Sequence, residues 1–156
     1  MRLFTLLQTA FTKITNNTNK ISKITAVCSA RGNVSSLSLA ASTQTTVPLN
    51  TWITRTDTAF TFSNDGIKCP YDGTVMISGS VYIPGGSDIT CGCYIKKNGA
   101  EITSQWLITS IGGLTGGCKI ITVSAGDIIT LVARRAVAGT CTPDNNATHL
   151  DIVYLA

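Results

Sequence analysis

Hydrophobic positions along this chain keep two periods, and the change between them falls near residue 24. Phe4, Leu7, Phe11, Ile14, Thr18 and Ile21 recur at alternating spacings of three and four. In a helix that spacing lines them up as one seam, of the kind coiled coils use. It predicts a helical arm over residues 1–24. Asn16, Asn17 and Asn19 weaken the last turns, because their side chains compete for backbone hydrogen bonds. A helix of about three heptads is marginal on its own. The arm is therefore expected either to pack on its own globule or to act as a stem or docking segment.

From Thr25 onward the period is two. "TAVCSA", "SSLSLA" and "NTWITRTD" read as short strands, and "AFTFS" sets Phe60 and Phe62 on one face. Turns are expected at Asp65-Gly66 and Asp72-Gly73, since tight turns favour residues that tolerate positive φ. Between Thr74 and Ile83 the residues Val75, Ile77, Val81 and Ile83 share one parity, and Ser78, Ser80 and Tyr82 take the other. "TCGCYIKKNGAEI" predicts a hairpin tipped by Asn98-Gly99. "QWLITSI", "CKIITVSAGDIITLVARR" and "LDIVYLA" add strands, while "GGLTGG" and "GTCTPDNNATH" read as loops. The sum is about eight to ten strands with no helix after the arm: a sandwich, a jelly roll or a barrel. Residues 25–156 form this head.

Composition agrees. Charged residues make up 13% of 156 residues, and Ser, Thr, Gly and Asn are plentiful, which suits many turns and excludes the high-charge pattern of disorder. No apolar run reaches the length of about 18 residues that a spanning helix needs, so no membrane partner is expected. The net charge of +4 is concentrated in the arm, where Arg2, Lys13, Lys20 and Lys23 meet no acid; the head balances. Without an arginine cluster, this basic arm points to an acidic protein surface and not to nucleic acid.

Chemistry is sparse. His149 shares strand parity with Asp151, but no nucleophile motif such as Gly-x-Ser-x-Gly accompanies it. The expectation is a strand-end histidine and no enzyme. The six cysteines, at 28, 69, 91, 93, 118 and 141, lack paired CxxC spacing and read as buried free thiols. No acidic cluster supplies the oxygens that calcium requires, and no glycine loop leads into a helix with a phosphate-binding lysine. No metal and no cofactor are expected. Lys96-Lys97 and Arg134-Arg135 read as solvated rims, and Trp52 and Trp106 fall inside strands. If the head binds a glycan, the loops at 84–90, 111–117 and 138–147 are the candidates, with Ser87, Asp88, Thr115, Asp144, Asn145 and Asn146 as ligand residues.

Four stretches in order carry a resemblance over residues 50–156. "FTFSNDGIKCPYDGTVMISGSVYI", "YIKKNGAEI", "ITVSAGDIITLVA" and "HLDIVYL" are similar to successive strands and turns of the tumour necrosis factor and complement globular-head (TNF/C1q-like) superfamily. The resemblance implies a ten-stranded all-β jelly roll assembling as a homotrimer. No collagen-like stem precedes the head, and "MRLFTLLQTAFT" does not read as a secretory signal. A short helical arm followed directly by such a head looks like the small fibre and tail proteins of tailed bacteriophages. The reading is then a virion structural protein, folded in bacterial cytoplasm with reduced thiols. Its seam of Phe4, Leu7, Phe11, Ile14, Thr18 and Ile21 would anchor it to a capsid, collar or tail protein. A receptor-binding tip for a host surface glycan and a secreted ligand of the same fold are the alternatives.

Overall fold

The computed structural model describes residues 8–18, 26–84, 89–109 and 112–155, with side chains throughout except at 89, 103–109 and 112–116. A helix, α1, covers residues 8–18. All its residues are exposed, Phe11 at 66% and Ile14 at 62%. These two seam residues therefore do not pack on the head. Thr18 bonds back to the Ile14 carbonyl at 3.0 Å, so its hydroxyl is occupied within the helix. Phe4, Leu7 and Ile21 lie outside the described residues.

Thirteen strands follow among the described residues: β1 (Val27–Arg31), β2 (Leu37–Leu39), β3 (Gln44–Val47), β4 (Thr51–Arg55), β5 (Thr61–Ser63), β6 (Gly66–Lys68), β7 (Gly73–Pro84), β8 (Ile89–Lys97), β9 (Ala100–Thr109), β10 (Gly112–Val123), β11 (Ile128–Arg135), β12 (Gly139–Cys141) and β13 (His149–Leu155). One sheet runs β10-β7-β13-β1-β4; the other runs β5-β6-β11-β8-β9, with β3 also on β11. A small β12-β2 pair accompanies them. The described pairings between named strands are all antiparallel. The excess over ten comes from short strands such as β2, β5, β6 and β12, three residues each.

Alternation builds the core as expected. Val75, Ile77, Val81 and Ile83 point inward from one sheet, and Ile95, Ile129 and Leu131 meet them from the other. Five cysteines are buried. The sixth corrects the expectation: Cys118 is exposed, because it shares parity with Ile120 and opposes Val123, which is buried.

The Asn98-Gly99 tip forms as predicted, with φ of 50° and 83°. The preceding turn shifts by one residue. Ser63 pairs with Gly66, so Asn64 and Asp65 are the two central residues, with φ of 47° and 61°. Gly66 instead opens β6 pressed onto β11. A Cβ there would overlap the Ile129 carbonyl and lie 2.7 Å from Thr130 Cγ2. The glycine is needed for close approach, not for the turn.

Two expected loops contain strands. "GGLTGG" is part of β10, paired residue for residue with β7 from Gly112↔Pro84 to Val123↔Gly73. A ladder is made by main-chain groups, so a twelve-residue run of regular partners can hold glycines that local composition assigns to a loop. In the 138–147 stretch, Gly139–Cys141 pairs with β2. Arg135 also departs from its expected exposed rim: it is only 8% exposed. It shares the inward parity of Ile129, Leu131 and Ala133, which carries it between the sheets.

Candidate functional site

Register on the five-stranded sheet sorts its outward face into rows. Ile120 pairs with Met76, Met76 with Val153 and Val153 with Val27. Four apolar side chains therefore cross four strands side by side. Ile120 is 60% and Met76 37% exposed; Val153 and Val27 are half-buried. Single exposed apolar residues are ordinary on a soluble surface, whereas a contiguous row is the mark of an interaction face. The next row is polar: Cys118, Ser78, Asp151 and Ser29 stand in register.

A polar cluster occupies the neighbouring positions of β7 and β13. Nε2 of His149 lies 3.3 Å from Oδ2 of Asp151. Ser78 donates to the same oxygen at 2.9 Å, and Ser29 also hydrogen-bonds this carboxylate. Nδ1 of His149 is 3.1 Å from the Asn146 carbonyl and 3.3 Å from the Ser80 hydroxyl. Ser80 itself donates to the Ala147 carbonyl.

Serine, histidine and aspartate thus stand together, yet the proton inventory differs from that of a nucleophilic triad. Nε2 faces the Asp151 carboxylate and Nδ1 the Asn146 carbonyl, while the Ser80 hydroxyl donates to the Ala147 carbonyl and not to the ring. The hydrogen bond to Asp151 raises the His149 pKa, against burial, which lowers it. Burial works to raise the Asp151 carboxyl, and hydrogen bonds from His149, Ser29 and Ser78 outweigh it, holding it below the ordinary range. The cluster ties the start of β13 to Ser78 and Ser80 of β7 and to Ser29 of β1.

The predicted ligand residues disperse. Asp144 and Asn145 sit in a segment braced by backbone bonds, Asp144 N to Val34 O at 3.1 Å and Thr148 N to Asn145 O at 2.8 Å. The Asn145 side chain caps Ala147 N at 2.8 Å, and the Asp144 carbonyl accepts from Arg31. Asn146 is exposed. This segment meets β7 at Tyr82, whose carbonyl accepts from Thr142 N at 3.1 Å and whose N–H donates to Thr148 Oγ1 at 2.8 Å. Thr115 pairs with Val81 inside β10 and is not a loop residue; Ser87 and Asp88 lie outside the described residues. Sequence reading missed Ser78, Ser80 and the apolar row. The signal available was the outward parity of Met76, Ser78 and Ser80 along β7.

Burial raises the buried thiols: Cys69 to about 11, Cys93 and Cys141 to about 12, and Cys28 and Cys91 in the same direction. Protonated and enclosed, they are poor nucleophiles and metal ligands. No group of three potential metal ligands occurs among the described residues.

No family of known sequences and no curated protein matches the chain. Solved structures do. Eiger TNF from S. frugiperda superposes with a TM-score of 0.66 at 12% identity, covering 85% of this chain and 94% of that one. Murine APRIL gives 0.66 at 20% identity, covering 83% and 98%. The globular domain of zebrafish complement 1qA gives 0.61 at 12% identity, covering 83% and 96%. At such identities the likeness speaks for architecture alone. The head of this chain has the TNF/C1q-like jelly-roll fold.

Proposed function

We propose that this chain is a non-enzymatic, trimer-forming display module. The outward face of its five-stranded sheet is the self-association surface, and its basic arm attaches it to another protein. The apolar row Ile120–Met76–Val153–Val27 carries the first part. Strand register puts the row in water on a single protomer, and burial against copies of itself removes it at roughly 25 cal/mol per Å² of apolar area. The TNF-like and C1q-like fold supports self-association at this coarse level. Light scattering on the full chain under reducing conditions tests it. A trimer is expected, and a monomer at tens of micromolar would sink the reading.

Within that reading, a bacteriophage virion part remains our preferred placement, with the arm docking on a capsid, collar or tail protein. It rests on the basic arm ahead of the head and on six cysteines that form no disulfide, as suits a reducing cytoplasm. The secreted-ligand reading has the identities of the fold neighbours in its favour. Recovery of the chain from purified particles, against recovery from medium with a processed amino terminus, separates the two.

A further inference from the structure

The end of β11 buries a guanidinium nitrogen that no hydrogen-bond acceptor meets. Arg135 is 8% exposed, and its Nε is buried with no hydrogen-bond partner. It forms no ion pair with any described residue. Burying a guanidinium is costly unless it is paired, and an orphaned buried donor calls for a water, an ion or a ligand.

Among the described residues, the surroundings hold the group and supply no carboxylate in an ion pair with it. Arg135 pairs with Cys91 of β8, its carbonyl accepts from Ser42 N at 2.8 Å, and the bend at 136–138 folds the chain back so that Gly139 lies on the guanidinium. A Cβ at Gly139 would fall on Nη1, with Cζ 2.5 Å away. The strands around it, β2, β3, β7, β8, β11 and β12, contain no Asp or Glu. The Cys91 thiol next to it is raised by burial, against the pull of Arg135, so no thiolate serves as counter-ion.

We propose that Arg135, cradled by Gly139, is the cationic half of a binding site at this end of the sandwich for a small oxyanion. The planar fork of an arginine matches the paired oxygens of phosphate and carboxylate alike. The two sources of that chemistry are a tetrahedral inorganic anion and an organic carboxylate.

Calorimetric titration of the full chain with sodium phosphate and, separately, with sodium acetate tests this at constant ionic strength. Saturable binding of one of them is expected, with Kd of about 1 mM; which one binds identifies the source. Arg135→Met abolishes it, Arg135→Lys weakens it about tenfold by losing the fork, and Gly139→Ala weakens it by filling the cradle. Should Arg135→Met fail to fold, the lysine and alanine variants still decide. Absence of saturable binding by wild type, or unchanged binding in the arginine variants, overturns the proposal.

Discussion

Gly79 of β7 faces Leu131 of β11 across the sandwich, so closely that a Cβ on the glycine would lie 2.9 Å from Leu131 Cδ1. Ile95 Cδ1 would be 3.3 Å away and the His149 carbonyl 3.4 Å. The hole left by one sheet receives the knob of the other, and the β13 backbone closes it. Gly79→Ala is expected to destabilise the head by about 1–3 kcal/mol through overpacking. The stiffer unfolded chain recovers at most about 1 kcal/mol of that. Denaturant unfolding of the two proteins measures the net loss; an unchanged midpoint would mean that the sheets give way freely here.

The His149–Asp151 pair predicts a pH window. A histidine pKa raised on folding stabilises fully below its unfolded value, and that contribution fades as pH rises through the folded value. A carboxyl lowered on folding stabilises above its unfolded value and fades as pH falls through the folded one. Both contributions are present between about pH 4 and 6.5, the two unfolded values. The stability gap between wild type and His149→Gln should be widest there, at most about 1 kcal/mol for a pair this close to solvent, and should narrow above. A gap that widens towards pH 9 would contradict a histidine pKa raised on folding.

Met76→Asp places a carboxylate in the centre of the apolar row. A lone protomer tolerates it, since Met76 is 37% exposed; an assembly that covers the row does not. Dissociation by at least about tenfold in the assembly constant is expected, with the circular dichroism spectrum kept. Cys118, in the adjoining polar row, supplies a second readout. It should label rapidly with a maleimide in the Met76→Asp protein and slowly in the assembled wild type, while the five buried thiols stay unreactive in both. Equal labelling rates would place the self-association surface elsewhere.

Phe11→Asp tests the arm apart from the head. Phe11 is 66% exposed on α1, so the substitution should leave the mass of the assembly and the unfolding midpoint of the head unchanged. Under the proposed virion placement, attachment to the particle should be lost. A variant that still decorates particles at the wild-type level would remove the arm from the anchoring role.

The amino-acid order alone determined what is local. Period-two alternation from Val75 to Ile83 specifies which side chains enter the core, because successive side chains of a strand take opposite sides. Asn98-Gly99 specifies its turn, because both positions tolerate positive φ. Tertiary structure decided what depends on partners far along the chain. "GGLTGG" became a strand because β7 offers it a ladder. Asn64-Asp65 displaced Asp65-Gly66 as the turn because Gly66 has to touch β11. Ile120, Met76, Val153 and Val27 became one surface only through the registers of three strand pairs. Arg135 went inside because it shares the parity of Ile129, Leu131 and Ala133 on β11 and the chain folds over that end of the strand. Alternation names two faces of a strand; long-range pairing decides what each face meets.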